Sequence, residues 1–207
     1  MHFVSQSATT TRAAKRVATS RRIMRAANQL TLSAGYDGWT MDELAEAVDV
    51  SRRTLFNYYP AKIDAVLGPI PDLPQPALDV FRAQGPTGVL IEDCRVLARA
   101  ILDDERYDPQ DLHLHREVIS RSPRLLVEVL SRFEQVTAAL VEHILEREGP
   151  EFGVHRARLL VRLMVAMFDT CLHSFADGAP ATAPSDSEES FADLFDAAID
   201  SARELLA

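Results

Sequence analysis

The chain has little of what disulfide-rich, zinc-binding or β-rich proteins need. It contains two cysteines, Cys94 and Cys171, in 207 residues, too few for a disulfide framework or a four-cysteine zinc site. Because both lie in runs with a helical pattern, we expect buried, unpaired thiols. Glycine is scarce, at 8 residues, and aromatic residues make up 7%. A β-rich fold requires more turn glycines and more aromatic strand residues, so the composition favours an all-α protein.

Long apolar runs are missing as well. No stretch of 18 apolar residues occurs, which predicts no transmembrane helix, and residues 1–16 lack the apolar region of a signal peptide. We therefore expect a cytoplasmic protein with no membrane partner. Apolar residues nevertheless make up 47% of the chain and charged residues 26%, a balance that supports a buried core and excludes wholesale disorder.

Acidic residues are absent from the beginning of the chain. Six basic residues and no acidic residue lie between Arg12 and Arg25, and residues 1–65 carry a net charge of +3. Residues 66–207 carry −12, which gives the overall charge of −9. A basic head on an acidic body is typical of a DNA-binding module joined to a second domain. A solvated basic arm is the alternative explanation of the same charges.

The first third of the chain has the pattern of three helices. We expect a first helix to begin between Arg12 and Thr19 and to end before Gly35. Its apolar residues recur on one helical face: Ile23, Ala27, Leu30, Ala34. Thr40 and Glu43 have the spacing of a capping box, which predicts the start of a short second helix.

A third helix follows after a turn of about three residues. Ser51 is a good N-cap for this helix, which we expect to run from Arg52 to Tyr58 or Tyr59 and to end before Pro60. Two short helices joined in this way form a helix-turn-helix. The sequence therefore predicts a small three-helix DNA-binding domain.

The outward face of the third helix is expected to carry the side chains that contact DNA. We expect Leu55 to point inward and the arginines, the asparagine and two aromatic residues to remain outside. In a DNA-reading helix, arginine pairs with guanine and asparagine with adenine, and an aromatic ring contacts a thymine methyl group or a phosphate. The alternative is that Phe56, Tyr58 and Tyr59 are core residues of a helical bundle.

The stretch Gly35–Leu67, with its Tyr-Tyr-Pro-Ala-Lys ending at residues 58–62, resembles the TetR family of bacterial transcriptional regulators. One departure is Asp49, where most members have glycine in the turn. The resemblance implies a two-domain, all-α homodimer that binds a double-stranded DNA operator and a small-molecule effector. The positions expected at the DNA are Thr40, Ser51, Arg52, Arg53, Thr54, Phe56, Asn57, Tyr58 and Lys62.

These positions divide by expected role. We expect Arg52, Arg53 and Asn57 to reach bases. A second group is expected to hold phosphates: Thr40, Thr54, Tyr58, Lys62. We predict a flexible arm over residues 1–11, a helix-turn-helix domain over 12–67, and an effector-binding and dimerisation domain over 68–207.

The C-terminal two thirds is predicted to be helical after a break. Four prolines between positions 69 and 76 exclude an uninterrupted helix there. Helices are predicted over Ala77–Ala83, Thr87–Asp104, Pro109–Arg121, Pro123–Glu148, Val154–Ala176 and Ser187–Leu206. Apolar stripes on the last two predict a homodimer through a four-helix bundle, in agreement with the family. Core packing within one chain is the alternative for these stripes.

An effector pocket is expected among the middle helices. Its apolar walls favour a lipophilic or aromatic small molecule. The predicted wall consists of Phe81, Ile101, Val118, Phe133, Met164, Met167 and Phe168. Such residues are also common in a plain core.

No pattern points to catalysis, a metal or a cofactor. His113 and His115 lie two apart, so on a helix they point about 200° apart and one ion does not bridge them. No nucleophile elbow or phosphate-binding glycine loop occurs. We therefore predict a non-enzymatic, ligand-responsive regulator, a repressor that its effector releases from DNA; an activator would share the same residues. The alternative is a helical carrier or enzyme with a vestigial DNA-binding head.

Overall fold

A computed structural model of the chain describes residues 4–70, 73–102, 109–176 and 191–206. These residues form ten α-helices, one 3-10 helix and no strand, so the predicted all-α fold is confirmed. The helices are α1 Val4–Ala34, α2 Met41–Ala47, α3 Arg52–Tyr58, α4 Lys62–Leu67, α5 Gln75–Arg82, α6 Leu90–Leu102, α7 Pro109–Arg121, α8 Pro123–Glu148, α9 Val154–Ala176 and α10 Phe191–Leu206. The 3-10 helix is Pro150–Phe152. Among the described helices, none has the length and apolar character needed to cross a membrane.

The bounds of four helices agree with the sequence prediction, and others differ for local reasons. The bounds of α3, α7, α8 and α9 are as predicted. The first helix begins at Val4, so the predicted start between Arg12 and Thr19 is wrong. Residues 4–11 of the expected flexible arm are helical, because this segment contains no glycine or proline to interrupt α1. Residues 1–3 lie outside the described residues.

The start of α6 differs because of a side-chain cap. The sequence predicts a start at Thr87, whereas α6 begins at Leu90. The carboxylate of Asp93 accepts hydrogen bonds from the backbone N–H groups of Thr87 and Gly88, at 2.8 and 3.2 Å. These bonds hold residues 87–89 in a loop that precedes the helix. The predicted end of α6 beyond Leu102 and residues 187–190 of the predicted last helix lie outside the described residues.

The chain divides into two compact units. The first comprises the residues up to Pro69 together with Leu114–Val129, and the second comprises Ile70–His113 and the residues from Leu130 onward. The first unit therefore includes Leu114–Val129, which the sequence prediction assigned to the second domain. The reason is apolar packing, since Val118 and Leu125 are buried in the same core as Leu55.

The core of the first unit fixes the helix-turn-helix on α1. Ile23 and Ala27 of α1 pack with Leu44 of α2 and Leu55 of α3, and all four are fully buried. The buried ring of Tyr59 belongs to this core, and its hydroxyl lies 2.6 Å from the hydroxyl of Ser20. The three-helix arrangement predicted from the sequence is therefore present.

The second unit has two apolar clusters and a buried ion pair. One cluster contains Leu78, Phe81 and Ile144, and the other contains Phe191 and Ile199 of α10. A guanidinium nitrogen of Arg147 on α8 lies 2.6 Å from the Asp93 carboxylate of α6, and both side chains are buried. Both cysteines are free and buried, as expected. Burial raises the pKa of the Cys94 thiol to about 12 and that of Cys171 to about 11, which makes both thiols unreactive.

Candidate nucleic-acid interface

The start of α2 is fixed by the predicted capping box. The Thr40 hydroxyl accepts a hydrogen bond from the backbone N–H of Glu43 at 3.2 Å, and the Thr40 backbone N–H donates to the Glu43 carboxylate at 2.7 Å. Bonds from the Thr40 backbone and side chain lower the pKa of Glu43. Thr40 is exposed at the N-terminal end of α2, and its hydroxyl also donates to the Glu43 carboxylate at 2.9 Å.

The turn between α2 and α3 needs one left-handed residue. Asp49 has a φ of 50°, a conformation that glycine adopts freely and that aspartate tolerates better than most residues. The N–H of Val50 donates to the carbonyl of Ala45 at 3.0 Å, and Val50 packs against the core of the first unit. The turn therefore forms despite the departure from glycine.

Ser51 caps α3 as predicted. Its hydroxyl accepts a hydrogen bond from the backbone N–H of Thr54 at 3.1 Å and lies 2.8 Å from the Thr54 hydroxyl. Leu55, one turn into the helix, is fully buried. Because the cap and the buried leucine fix both the start and the rotation of α3, the remaining side chains have defined directions.

The outward face of α3 carries the residues expected there. Arg52, Arg53, Phe56 and Asn57 are exposed, and Thr54 and Tyr58 are half-buried. Phe56 is 38% exposed, so the alternative that it is a core residue is wrong, whereas Tyr59 is buried. Within the described residues, the side chains of Arg53 and Asn57 form no hydrogen bond, so their donors are available to a base.

Arg52 has weak partners that DNA could replace. Its guanidinium lies 3.0 Å from the Asp42 carboxylate, and the two side chains are 67% and 58% exposed. It also lies 5.5 Å from the centre of the Phe56 ring. An ion pair this exposed contributes little to stability, so its exchange for a DNA contact costs little.

Lys62, which is expected at a phosphate, is the first residue of α4 and has a protein partner. Its ammonium lies 4.1 Å from the ring centre of Trp39 and 5.0 Å from that of Tyr36, and it donates a hydrogen bond to the Trp39 carbonyl oxygen. Burial lowers the pKa of this ammonium. Lys62 thus ties α4 to the loop before α2, a role that the sequence did not show.

Arg124, at the start of α8, contacts the same loop, which the sequence did not indicate. Its guanidinium lies 4.9 Å from the centre of the Tyr36 ring and 3.2 Å from the Asp37 carboxylate. These contacts connect α8 to the same loop that Lys62 holds. The two ion-pair partners are 87 residues apart in the chain, so no local pattern indicates the pair.

The histidine pair diverges as its spacing predicts. His113 is exposed, whereas His115 is turned inward and hydrogen-bonds to the backbone of Val66. Burial lowers the pKa of His115 to about 4. Within the described residues, no group of three histidine, cysteine or carboxylate side chains is placed to hold a metal ion.

The residues predicted to line an effector pocket lie in several different parts of the structure. Phe81, Ile101 and Met164 belong to one cluster of the second unit, and Met164 also packs with Met167 and Phe168 in the other. Two predicted wall residues are elsewhere. Val118 is buried in the core of the first unit, because α7 and α8 pack their apolar residues there. Phe133 is exposed on α8.

The stripes predicted to form the dimer differ in exposure. Phe191, Phe195 and Ile199 of α10 are buried within their own chain, so the core alternative applies to this part of the last helix. Leu159 and Leu163 of α9, one turn apart, are 61% and 45% exposed. Helix α9 therefore presents exposed leucines at its surface.

Three comparisons with known proteins agree. Residues 23–64, from α1 into α4, match the family model described as bacterial regulatory proteins, tetR family. The chain is 31% identical over 157 residues to the HTH-type transcriptional regulator TcmR of Streptomyces glaucescens, covering 72% of this chain and 69% of that protein. A crystal structure of a protein described as a TetR-family transcriptional regulator from Mesorhizobium loti MAFF303099 has a similar fold, with a TM-score of 0.52 and 18% identity over 92% of this chain and 96% of the other. This chain therefore belongs to the TetR family of bacterial transcriptional regulators.

Proposed function

We propose that the protein is a ligand-responsive repressor that binds a double-stranded DNA operator through α3 and leaves it when a lipophilic or aromatic small molecule binds. The observation that supports DNA reading most directly is the outward face of α3. There Arg53 and Asn57 are exposed on a helix whose rotation is fixed by the buried Leu55. Four residues apart, these two side chains lie on one side of the helix.

The side chains of α3 match the edges of bases in the major groove. The guanidinium of Arg53 can donate two hydrogen bonds to guanine O6 and N7, and the amide of Asn57 can pair with adenine N6 and N7. Arg52 would exchange Asp42 for a base or a phosphate. The hydroxyl groups of Thr40, Thr54 and Tyr58 are suited to phosphate oxygens, which fix position and not sequence.

A dimer would place two such helices on one duplex. Recognition helices that read two half-sites lie roughly 34–36 Å apart, one turn of DNA. The exposed leucines of α9 supply an apolar surface for the second copy, and we propose that the last two helices form the interface with α9 at its centre. A self-complementary interface of this kind requires an operator with two-fold symmetry.

The effector would bind in the second unit. Met164 packs against both apolar clusters of that unit, and Met167 and Phe168 pack against one of them. Methionine side chains adapt to irregular apolar ligands. An effector that binds one arrangement of the dimer more tightly shifts the population toward it. Repression then ends when the favoured arrangement no longer spaces the two α3 helices for the operator.

Selection from a random duplex library tests this function. The full-length protein should enrich a palindromic sequence with half-sites about 10 base pairs apart, and gel retardation should separate that duplex from a scrambled one of the same composition. Compounds that release the retarded duplex would identify the effector class. Failure to enrich any sequence, with equal retardation of the scrambled duplex, would contradict the proposal. If the protein binds no DNA and chemically converts a small molecule, an enzyme would be favoured instead.

A further inference from the structure

We propose that α1 extends the DNA contact beyond the bases that α3 reads, by binding the phosphate backbone that flanks each half-site through its basic stretch, residues 12–25. This inference rests on the proposed function. The starting observation is the charge of one helix. Across its 31 residues, Val4–Ala34, α1 contains six basic residues and no acidic residue.

Three cations of α1 are not neutralised by nearby carboxylates. Lys15, Arg16 and Arg22 are exposed, and within the described residues no carboxylate pairs with them. Several arginines of the second unit are paired with carboxylates. Arg95 lies 2.8 Å from Asp196, and Arg82 lies 3.0 Å from Glu146. The acidic body thus pairs these arginines internally, whereas α1 presents its three cations to solvent, where an anionic partner can bind them.

The basic stretch of α1 lies beside the recognition helix. The Arg16 guanidinium is 5.8 Å from the ring centre of Tyr58, at the end of α3. One turn further along α1, the Ser20 hydroxyl is 2.6 Å from the Tyr59 hydroxyl. Residues 16–20 of α1 therefore run past the C-terminal end of α3.

The length of α1 takes it past this point of contact. The basic stretch of α1 rises through 13 residues from Arg12 to Arg25, which is about 20 Å at 1.5 Å per residue. About 20 Å corresponds to roughly six base pairs of duplex. The helix is thus long enough to reach backbone outside the bases that α3 covers.

The chemistry of this stretch favours phosphates over bases or a membrane. Lysine and arginine on a helix surface bind backbone phosphates without reading sequence, and each contact adds to the salt dependence of binding. A membrane-surface helix needs large apolar residues opposite its cations. Around Lys15 and Arg16 the chain has only alanine, valine, serine and threonine, so duplex DNA is the better partner.

The test compares two duplexes at several salt concentrations. The long duplex carries the selected operator with about ten flanking base pairs on each side, one helical turn, and the short duplex ends at the operator. The variant is Lys15→Gln with Arg22→Gln, which leaves Arg16 and Tyr58 in place. The control, Arg121→Gln with Arg156→Gln, removes the same charge from exposed positions on α7 and α9.

On the long duplex, the variant should flatten the slope of log affinity against log salt by about 0.9 for each phosphate that it no longer binds. On the short duplex it should match the wild type, and the control should match the wild type on both. An unchanged slope on the long duplex, or an equal decrease on both duplexes, would overturn the inference.

Lys15→Arg with Arg22→Lys keeps both charges and should keep the wild-type slope, so it distinguishes removal of charge from damaged folding. If the wild type prefers no operator at all, the proposed function fails, whereas failure of this inference leaves specific operator binding intact.

Discussion

Two inward-facing side chains of the first unit form hydrogen bonds to the backbone of Val66. The Asn28 amide donates to the Val66 carbonyl at 3.0 Å, and His115 of α7 hydrogen-bonds to the backbone of the same residue. The Nδ1 atom of His115 is buried with no hydrogen-bond partner. A proton there would place a charge in the interior without an acceptor, which is why burial holds the pKa of His115 down to about 4.

This buried histidine makes stability depend on pH. In the unfolded chain a histidine has a pKa of about 6.5, so between pH 6.5 and 4 the unfolded state binds a proton that the folded state does not. The contribution to stability is complete above pH 6.5 and is lost as the pH falls through this window. Urea unfolding between pH 7.5 and 5 should show a steeper loss for the wild type than for His115→Gln. The exposed His113→Gln is the control, and an equal loss in His115→Gln would contradict the assignment.

Lys62 has two candidate partners, Trp39 and a DNA phosphate, and one substitution separates them. Lys62→Met keeps the apolar stem but removes the cation over the ring, so it should lower the free energy of unfolding by about 0.5–2 kcal/mol. The protein's single tryptophan gives a fluorescence signal for the measurement. Lys15→Met, at an exposed site, should change the free energy by less than about 0.5 kcal/mol. Unchanged stability with uniformly weaker DNA binding would assign the ammonium to phosphate alone.

At the scale of the helices, prolines, glycines and N-cap residues made many helix boundaries predictable. Helices α7 and α8 start at Pro109 and Pro123, and α8 ends before the Gly149-Pro150 pair. Helices α2 and α3 start after the N-cap residues Thr40 and Ser51. The start of α6 was not predictable, because Asp93 accepts bonds from the residues before the helix and also pairs with Arg147, 54 residues away. The packing of α10 was ambiguous, since one apolar stripe serves an internal core or an interface equally well.

The turn between α2 and α3 gives a prediction for these two elements. Asp49 adopts a left-handed conformation, which costs an ordinary residue roughly 1–2 kcal/mol. Asp49→Gly should therefore keep or raise the thermal midpoint, while Asp49→Ala should lower it, because alanine lacks both the freedom of glycine and the short polar side chain. Thermal unfolding followed by circular dichroism measures both. A higher midpoint for Asp49→Ala than for Asp49→Gly would contradict the role assigned to the turn.

The whole molecule combines a basic head, an acidic body and an exposed apolar stripe on α9. We expect Leu163→Glu to convert a dimer to a monomer in sedimentation, because it places a charge in the centre of the proposed interface. Reduced operator affinity should accompany this change. Leu205 of α10 is 86% exposed and provides the matched substitution.

Leu205→Glu should leave the dimer intact if α9 forms the centre of the interface. Monomers from Leu205→Glu and dimers from Leu163→Glu would instead assign the interface to the end of α10. The sequence could not distinguish these outcomes, because both helices carry apolar residues at helical spacing.

The central claim is that α3 reads bases with its outward side chains, and Arg53 tests it most directly. The measurement is the affinity of the wild type and of Arg53→Ala for the selected operator and for a set of operators with one base pair changed in each half-site. The account predicts that Arg53→Ala weakens binding by about 1–3 kcal/mol for each base that Arg53 reads, and that the variant no longer distinguishes bases at one position of each half-site. Equal affinity and unchanged base preference at every position, in a folded and dimeric variant, would contradict it.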